Sequence, residues 1–216
     1  MFEFTEEKLE ALRVSLAGTM SEKRYRHTVA VSDMVGRMAV LYLPEGVLLL
    51  RTAGLLHDIT KEYSTEKQLK ILHEYGIITT KMDELSPKTL HARTAALLIP
   101  DRYPEFAHPM LISAIRWHTT GHKNMTLAEK LLYLADYIDD SRTFPDCVAL
   151  RERFWSAEPE KMSDEARVSH LDAVIVDSFD RTIRSLLEEG ALISTETVEA
   201  RDELVEAQLL AAGTKQ

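Results

Sequence analysis

Cysteine is almost missing from this sequence: Cys147 is the only one in 216 residues. A single thiol excludes an intrachain disulfide and a cysteine-based zinc site. Glycine and proline are scarce, at eight and seven residues, so turns are few and helices are favoured. Basic charge is in deficit: 26 Lys and Arg stand against 35 Asp and Glu, a net charge of -9. Wrapping nucleic acid requires a basic face that neutralises phosphates, so nucleic acid is not an expected partner. A locally positive site can still take a small anion, and a metal can supply that charge. No apolar run approaches the length of a membrane span, so no membrane partner is expected. The opening stretch, MFEFTEEKLEALR, is acidic and amphipathic. It lacks the basic start and apolar centre of a signal peptide, and the expected location is the cytoplasm.

What is present is ordinary for a globular protein: 45% hydrophobic and 28% charged residues. The length suits one well-cored domain rather than two. Apolar residues recur mostly at three- and four-residue spacing, and strict alternation is rare. Helices are expected at about 5–18, 21–43, 45–58, 65–75, 87–98, 109–119, 126–140, 147–155, 164–189 and 195–211. Ser21 is a candidate cap for the second, and Pro44 ends it. Thr65 to Gln68 and Thr126 to Glu129 have capping-box spacing. Ser86 precedes Pro87 as a cap before a first-turn proline. Gly76, Pro100, Gly121 and Gly190 are expected stops. The fold class is all-α: one domain over residues 1–216, with a core at about 20–145 and a helical C-terminal extension at about 146–216.

Acid-base residues stand where apolar residues are expected. His57 and Asp58 follow Ala53-Gly54-Leu55-Leu56 directly, and Asp136 follows Leu131 to Ala135. His27, His91 and His118 also lie in or beside apolar helical segments. Any one of these histidines, taken singly, reads as a packed residue with a hydrogen bond. A buried carboxylate is different, because without a partner it costs several kcal/mol. Asp136 needs an arginine, a set of backbone amides or a cation, and so does Asp58. A cation satisfies both. Imidazoles and carboxylates without thiolates suit Fe, Mn, Zn or Co. Two aspartates and four histidines are too many for one ion with an open position. They suit two ions sharing a carboxylate and a water.

The ordered segments RYRHT, AGLLHDITK, LHARTAA, AIRWHTTG and LLYLADYID resemble the HD superfamily of metal-dependent phosphohydrolases. Within it, AIRWHTTGHKNMTLAEKLLYLADYIDDSRTFPD is similar to the bacterial YqeK-like symmetrical diadenosine tetraphosphatases. The resemblance runs from about Arg24 to Phe144 and implies an HD-type helical bundle. It implies that His27, His57, Asp58 and Asp136 hold one ion, and that Asp58, His91 and His118 hold a second, with Asp58 bridging. The ions would be divalent or mixed-valence, iron first, with manganese or cobalt as alternatives. Asp58 and Lys61 would be catalytic. Arg24, Lys61, Thr119, Thr120, Gly121, His122, Asp139 and Arg142 would contact a small nucleotide, diadenosine tetraphosphate, which metal-activated water would split into two ADP. Two departures from the family pattern stand out. HTTGH carries His122 where the family has arginine, and ADYIDDSR carries Asp139 and Asp140-Ser141 where it has glutamate and Pro-Asn. Losing a guanidinium removes a bidentate anion contact.

Other readings are an HD hydrolase acting on other nucleotides or alarmones, and a non-catalytic metal-binding helical module. Lys61 with a single Glu62 after the HD pair argues against the alarmone branch, which usually carries an acidic pair there. The remaining histidines have plainer readings. His73 lies near a helix C-terminus and is structural, while His108 and His170 are expected to be solvated. Tyr25, Trp117 and Tyr137 flank the proposed ligands and read as core.

Overall fold

Gly54 shows how the chain brings its site together. In the computed structural model, which describes residues 2–213, a Cβ on Gly54 would lie 2.6 Å from the Ser32 Cα. Two helices therefore cross here in backbone contact: α2 (Glu22–Tyr42) and α3 (Val47–Leu56). The Ser32 hydroxyl donates to the Arg51 carbonyl at 2.8 Å and seals the crossing. The other helices are α1 (Glu6–Leu16), α4 (Thr65–Glu74), α5 (Lys81–Leu85), α6 (Leu90–Arg102), α7 (Pro109–Trp117), α8 (Leu127–Ile138), α9 (Pro145–Ser156), α10 (Asp164–Glu188) and α11 (Thr195–Gly213). Among the described residues there is no strand. No helix there is long and apolar enough to cross a membrane.

Local chemistry sets most helix ends. The Ser21 side chain accepts from the Arg24 amide at 3.2 Å and caps α2. Thr126 and Glu129 form a reciprocal capping box at the start of α8. Gly76, Gly121 and Gly190 take positive φ where segments end. Several expectations shift. The cap of α4 is Ser64 rather than Thr65. Ser86 makes no side-chain cap, and Pro87 opens a 3-10 turn (Pro87–Thr89) ahead of α6. Pro100 does not stop α6, which runs through it to Arg102. In the last turn the lost amide bond is the only one forfeited before the helix ends anyway. The short α5 was not expected, because five residues carry too little periodicity. A capping box built from Thr80 and Asp83 holds it.

One contiguous core joins the two parts of the chain. Leu50, Leu56, Ala95, Leu111, Leu131 and Leu134 share it with Leu150, Phe154, Leu171, Ile175 and Phe179. The C-terminal extension is thus packed in rather than appended loosely. Phe179 illustrates the join, because a Cβ at Gly121 would lie 2.7 Å from its ring. Cys147 is buried and unpaired. Two histidines expected in solvent have structural jobs. His108 caps α7 by accepting from the Met110 amide at 3.2 Å. His170 Nε2 lies 3.0 Å from the Phe154 carbonyl, which can only accept, so it donates there.

Candidate metal centre

Six histidines and aspartates from five helices meet at a single point: α2, α6 and α8 carry one each, His118 follows α7, and His57 and Asp58 follow α3. His27 comes from the second turn of α2 and His57 from the end of α3, with Asp58 next. His91 comes from the first turn of α6, His118 from the end of α7, and Asp136 from the last turn of α8. The apolar segments that looked out of place beside these residues pack the helices around the point. His57, Asp58, His91 and His118 are buried, and Asp136 keeps one-fifth of its side chain exposed.

The carboxylate of Asp58 divides the cluster. Its Oδ2 lies 3.5 Å from His57 Nε2 and 3.7 Å from His27 Nε2. Its Oδ1 lies 3.2 Å from His91 Nε2 and 3.7 Å from His118 Nε2. Asp136 Oδ1 joins the first side only, 3.0 Å from His27 Nε2 and 3.7 Å from His57 Nε2. His91 and His118 approach Nε2 to Nε2 at 3.0 Å.

The far sides of the rings show which nitrogen is free. His57 Nδ1 meets the Gly54 carbonyl at 2.7 Å, and His118 Nδ1 meets the Ile115 carbonyl at 2.7 Å. A carbonyl only accepts, so both Nδ1 atoms carry the proton and both Nε2 atoms aim a lone pair at the cluster. His27 Nδ1 faces Asp139 Oδ2 at 3.2 Å, which sets the same tautomer. His91 is held through its backbone instead, where the buried Thr60 hydroxyl donates to its carbonyl at 2.9 Å. This is the outer-shell pattern of metal-ligating histidines.

The residues fit a cation. His27 Nε2, His57 Nε2 and Asp58 Oδ1 are buried without a hydrogen-bond partner. Orphaned acceptors of this kind are costly unless something positive satisfies them. Two groups have ligand atoms within 4.8 Å of one another, His27–His57–Asp136 and His57–Asp58–His118. Electrostatics points the same way. Burial raises the carboxyls of Asp58 and Asp136, but the imidazoles beside Asp58, and Arg142 with the imidazoles beside Asp136, hold both well below the ordinary carboxylate range. Burial lowers His57, yet Asp58 and Asp136 outweigh it and bring it to about 10. His27 also ends above its ordinary value, with burial opposed by Asp136 and Asp139. His91 and His118 are pushed down, chiefly by burial.

Charged side chains rim the cluster. Arg24 pairs with Asp58. Arg142 pairs with Asp136 at 2.7 Å. Lys61 Nζ stands 3.1 Å from His91 Nε2, and burial lowers its pKa. Thr119 Oγ1 lies 3.1 Å from His91 Nε2. Four more of the expected nucleotide contacts have partners within the protein. The Thr120 hydroxyl donates to the Gly121 carbonyl, and Gly121 packs on Phe179 and Met125. His122 meets Glu129 at 3.1 Å and stacks on Trp117 with centroids 4.4 Å apart. Asp139 is fully buried against His27, Ser141 and Arg142. Gly121 takes a positive φ where the segment after α7 ends. Thr60 was missed from sequence. Its only signal was a hydroxyl in the same loop as Asp58, which many loops share.

A family model, the HD domain, matches residues 24–140. A symmetrical bis(5'-nucleosyl)-tetraphosphatase of Bacillus subtilis (strain 168) is 31% identical over 62% of this chain and 70% of its own. A protein of that name from Staphylococcus aureus (strain NCTC 8325 / PS 47) is 27% identical over 83% of this chain and 86% of its own. Among solved structures, a predicted HD superfamily hydrolase involved in NAD metabolism from Clostridium acetobutylicum aligns with TM-score 0.79 at 30% identity. It covers 92% of this chain and 97% of its own. With this match over more than half its length, and with the histidines and aspartates of the matched segment converging on one point, the chain belongs to the HD domain family.

Proposed function

We propose that the protein is a metal-dependent phosphohydrolase, a symmetrical bis(5'-nucleosyl)-tetraphosphatase that splits diadenosine tetraphosphate into two ADP. The observation that carries this reading is the division at Asp58, whose two oxygens face two different sets of histidines. His27, His57, Asp58 and Asp136 would hold one ion. Asp58, His91 and His118 would hold the other. Iron is the first choice and manganese or cobalt the alternatives, since the donors are imidazole and carboxylate. When bound, such ions would lower the pKa of water and offset phosphate charge.

The chain's own residues do the rest. Substrate and protein are both anionic, with the protein at net -9, so positive charge must be concentrated where the phosphates lie. Arg24, Lys61 and Arg142 surround the cluster and supply it. In the reaction, water adds to an inner phosphorus and the central P–O–P bridge breaks. One ADP leaves as an anion, and the water's protons are shared between the products and solvent. Lys61 is placed to stabilise charge developing on the leaving oxygen. Asp139 holds His27 in the tautomer that leaves Nε2 free. The apolar walls keep this machinery out of bulk water, where each charge would be weaker.

The test is product analysis over a panel of diadenosine tetraphosphate, simple nucleotides and guanosine polyphosphates, with Fe, Mn and Co each supplied. Two ADP from the tetraphosphate, formed faster than any other product, is the expected result. AMP with ATP, or turnover confined to another nucleotide, rejects the symmetrical assignment.

A further inference from the structure

Behind the metal centre lies a cavity of mixed polar and apolar lining. Arg93 follows His91 by two residues on α6, and Arg116 precedes His118 by two on α7. A two-residue step rotates a helix by about 200°. The imidazoles therefore face the cluster, and the two guanidinia face the opposite side of the α6–α7 layer. There both line a cavity of about 340 Å³. Its walls are α5, the turn before α6, the two arginine-bearing helices and the start of α11.

The cavity's chemistry is that of an anion site. Thr89, Ser194 and Thr195 are among its lining residues, and the Thr89 hydroxyl donates to the Ser86 carbonyl. Two carboxylates are present, and both are already engaged. Asp83 pairs with Arg93 through Oδ1 and caps α5 through Oδ2. Glu196 accepts from the Ser194 hydroxyl. Arg116 is half-buried and, among the described residues, makes no hydrogen bond or ion pair; its guanidinium lies over the Trp117 ring at 4.0 Å and feels Glu196 and Asp83 only through space. A guanidinium in such a place retains its planar donors for a tetrahedral oxyanion. The Trp117 ring is in contact with both Arg116 and His122. That leaves no platform for a base, so the ligand is recognised by its phosphate alone.

We propose that this cavity binds a phosphate group between Arg93 and Arg116, separately from the metal centre. The bound anion ties α6 to α7 and so steadies the two helices that carry His91 and His118. The inference stands on the cavity and does not require the hydrolase reading.

The experiment is thermal unfolding of the full chain at fixed ionic strength, with chloride replaced by inorganic phosphate or by ADP. The Asp58→Ala background is used so that anions held through metal ions at the histidine cluster do not contribute. A ligand that binds only the folded state raises the melting temperature. Phosphate is expected to raise it in Asp58→Ala and to lose that effect in Asp58→Ala/Arg116→Gln. An equal rise with ADP assigns a nucleotide's terminal phosphate as a ligand, and a rise with phosphate alone assigns the free anion. No rise with either, or a rise that survives Arg116→Gln, overturns the proposal. If Asp58→Ala fails to fold, wild-type crystals soaked in tungstate decide the matter. An anomalous peak between the two guanidinia supports the site, and peaks confined to the histidine cluster overturn it.

Discussion

His27 and His57 are pushed towards holding a proton, while His91 and His118 are pushed away from one. The four rings share one cluster and are all buried, so burial does not separate them. The carboxylates do. On the first side Asp136 and Asp58 face the rings, and Asp139 backs His27. On the second side one oxygen of Asp58 serves both rings, and Lys61 adds positive charge beside His91. The two halves therefore differ in how much positive charge they demand. The carboxylate-rich half should hold a cation more tightly than the half built on two neutral imidazoles.

The largest expected effect comes from removing the divider. Asp58→Ala should lower kcat/KM by more than about 100-fold, beyond the range of outer-shell losses, and elemental analysis should find both halves depleted. Retained turnover with full metal content would break the comparison. Next come the paired substitutions His27→Ala and His118→Ala. Each should lose metal from its own half first, and stepwise chelation of wild type should release the His91–His118 half before the other. A single release step would show that the halves act as one.

Asp139→Asn should cost about 10–100-fold in metal affinity on the His27 side. The release of metal from the second half should be unchanged, which a merely destabilised protein would not show. Gly54→Ala acts on the scaffold instead. Its new Cβ meets the α2 backbone at Ser32, so a loss of about 1–3 kcal/mol is expected by denaturant unfolding. Both halves should weaken together, because the α2–α3 crossing carries His27 and His57.

The smallest effect lies outside both halves. Glu129 is buried, and burial alone would raise its carboxyl. Its bonds to Ser113, Thr126 and His122 hold it below its ordinary 4.5 instead. A carboxylate depressed on folding adds stability at pH above its unfolded value and loses it as pH falls through the folded value. Glu129→Gln should thus cost about 1 kcal/mol at neutral pH. The difference from wild type should shrink as pH drops below 4.5. A constant difference across that window would assign the loss to packing rather than charge.

Much of this architecture is readable before any folding is considered. Helix ends at Ser21, Thr126 and Gly190 follow from contacts within a few residues. The same is true of the reason His57-Asp58 and Asp136 attract notice, since a carboxylate behind an apolar run needs a partner. Pro100 misled because proline is costly in a helix interior but not in a last turn. The HTTGH loop shows what adjacency leaves out. Position beside His118 suggested Thr120, Gly121 and His122 as nucleotide contacts, but did not reveal that Gly121 packs on Phe179 or that His122 meets Glu129 and Trp117.

Residue types, spacing and local capping were thus enough to establish that the chain is helical and to single out the imidazoles and carboxylates that the fold gathers. Packing alone set how they face one another. The opposed oxygens of Asp58, the inward turn of Asp139 and the guanidinia gathered behind α6 and α7 depend on side chains far apart in the chain. Helix propensity acts over a few neighbours, whereas the direction each side chain takes is fixed only when the core closes around it.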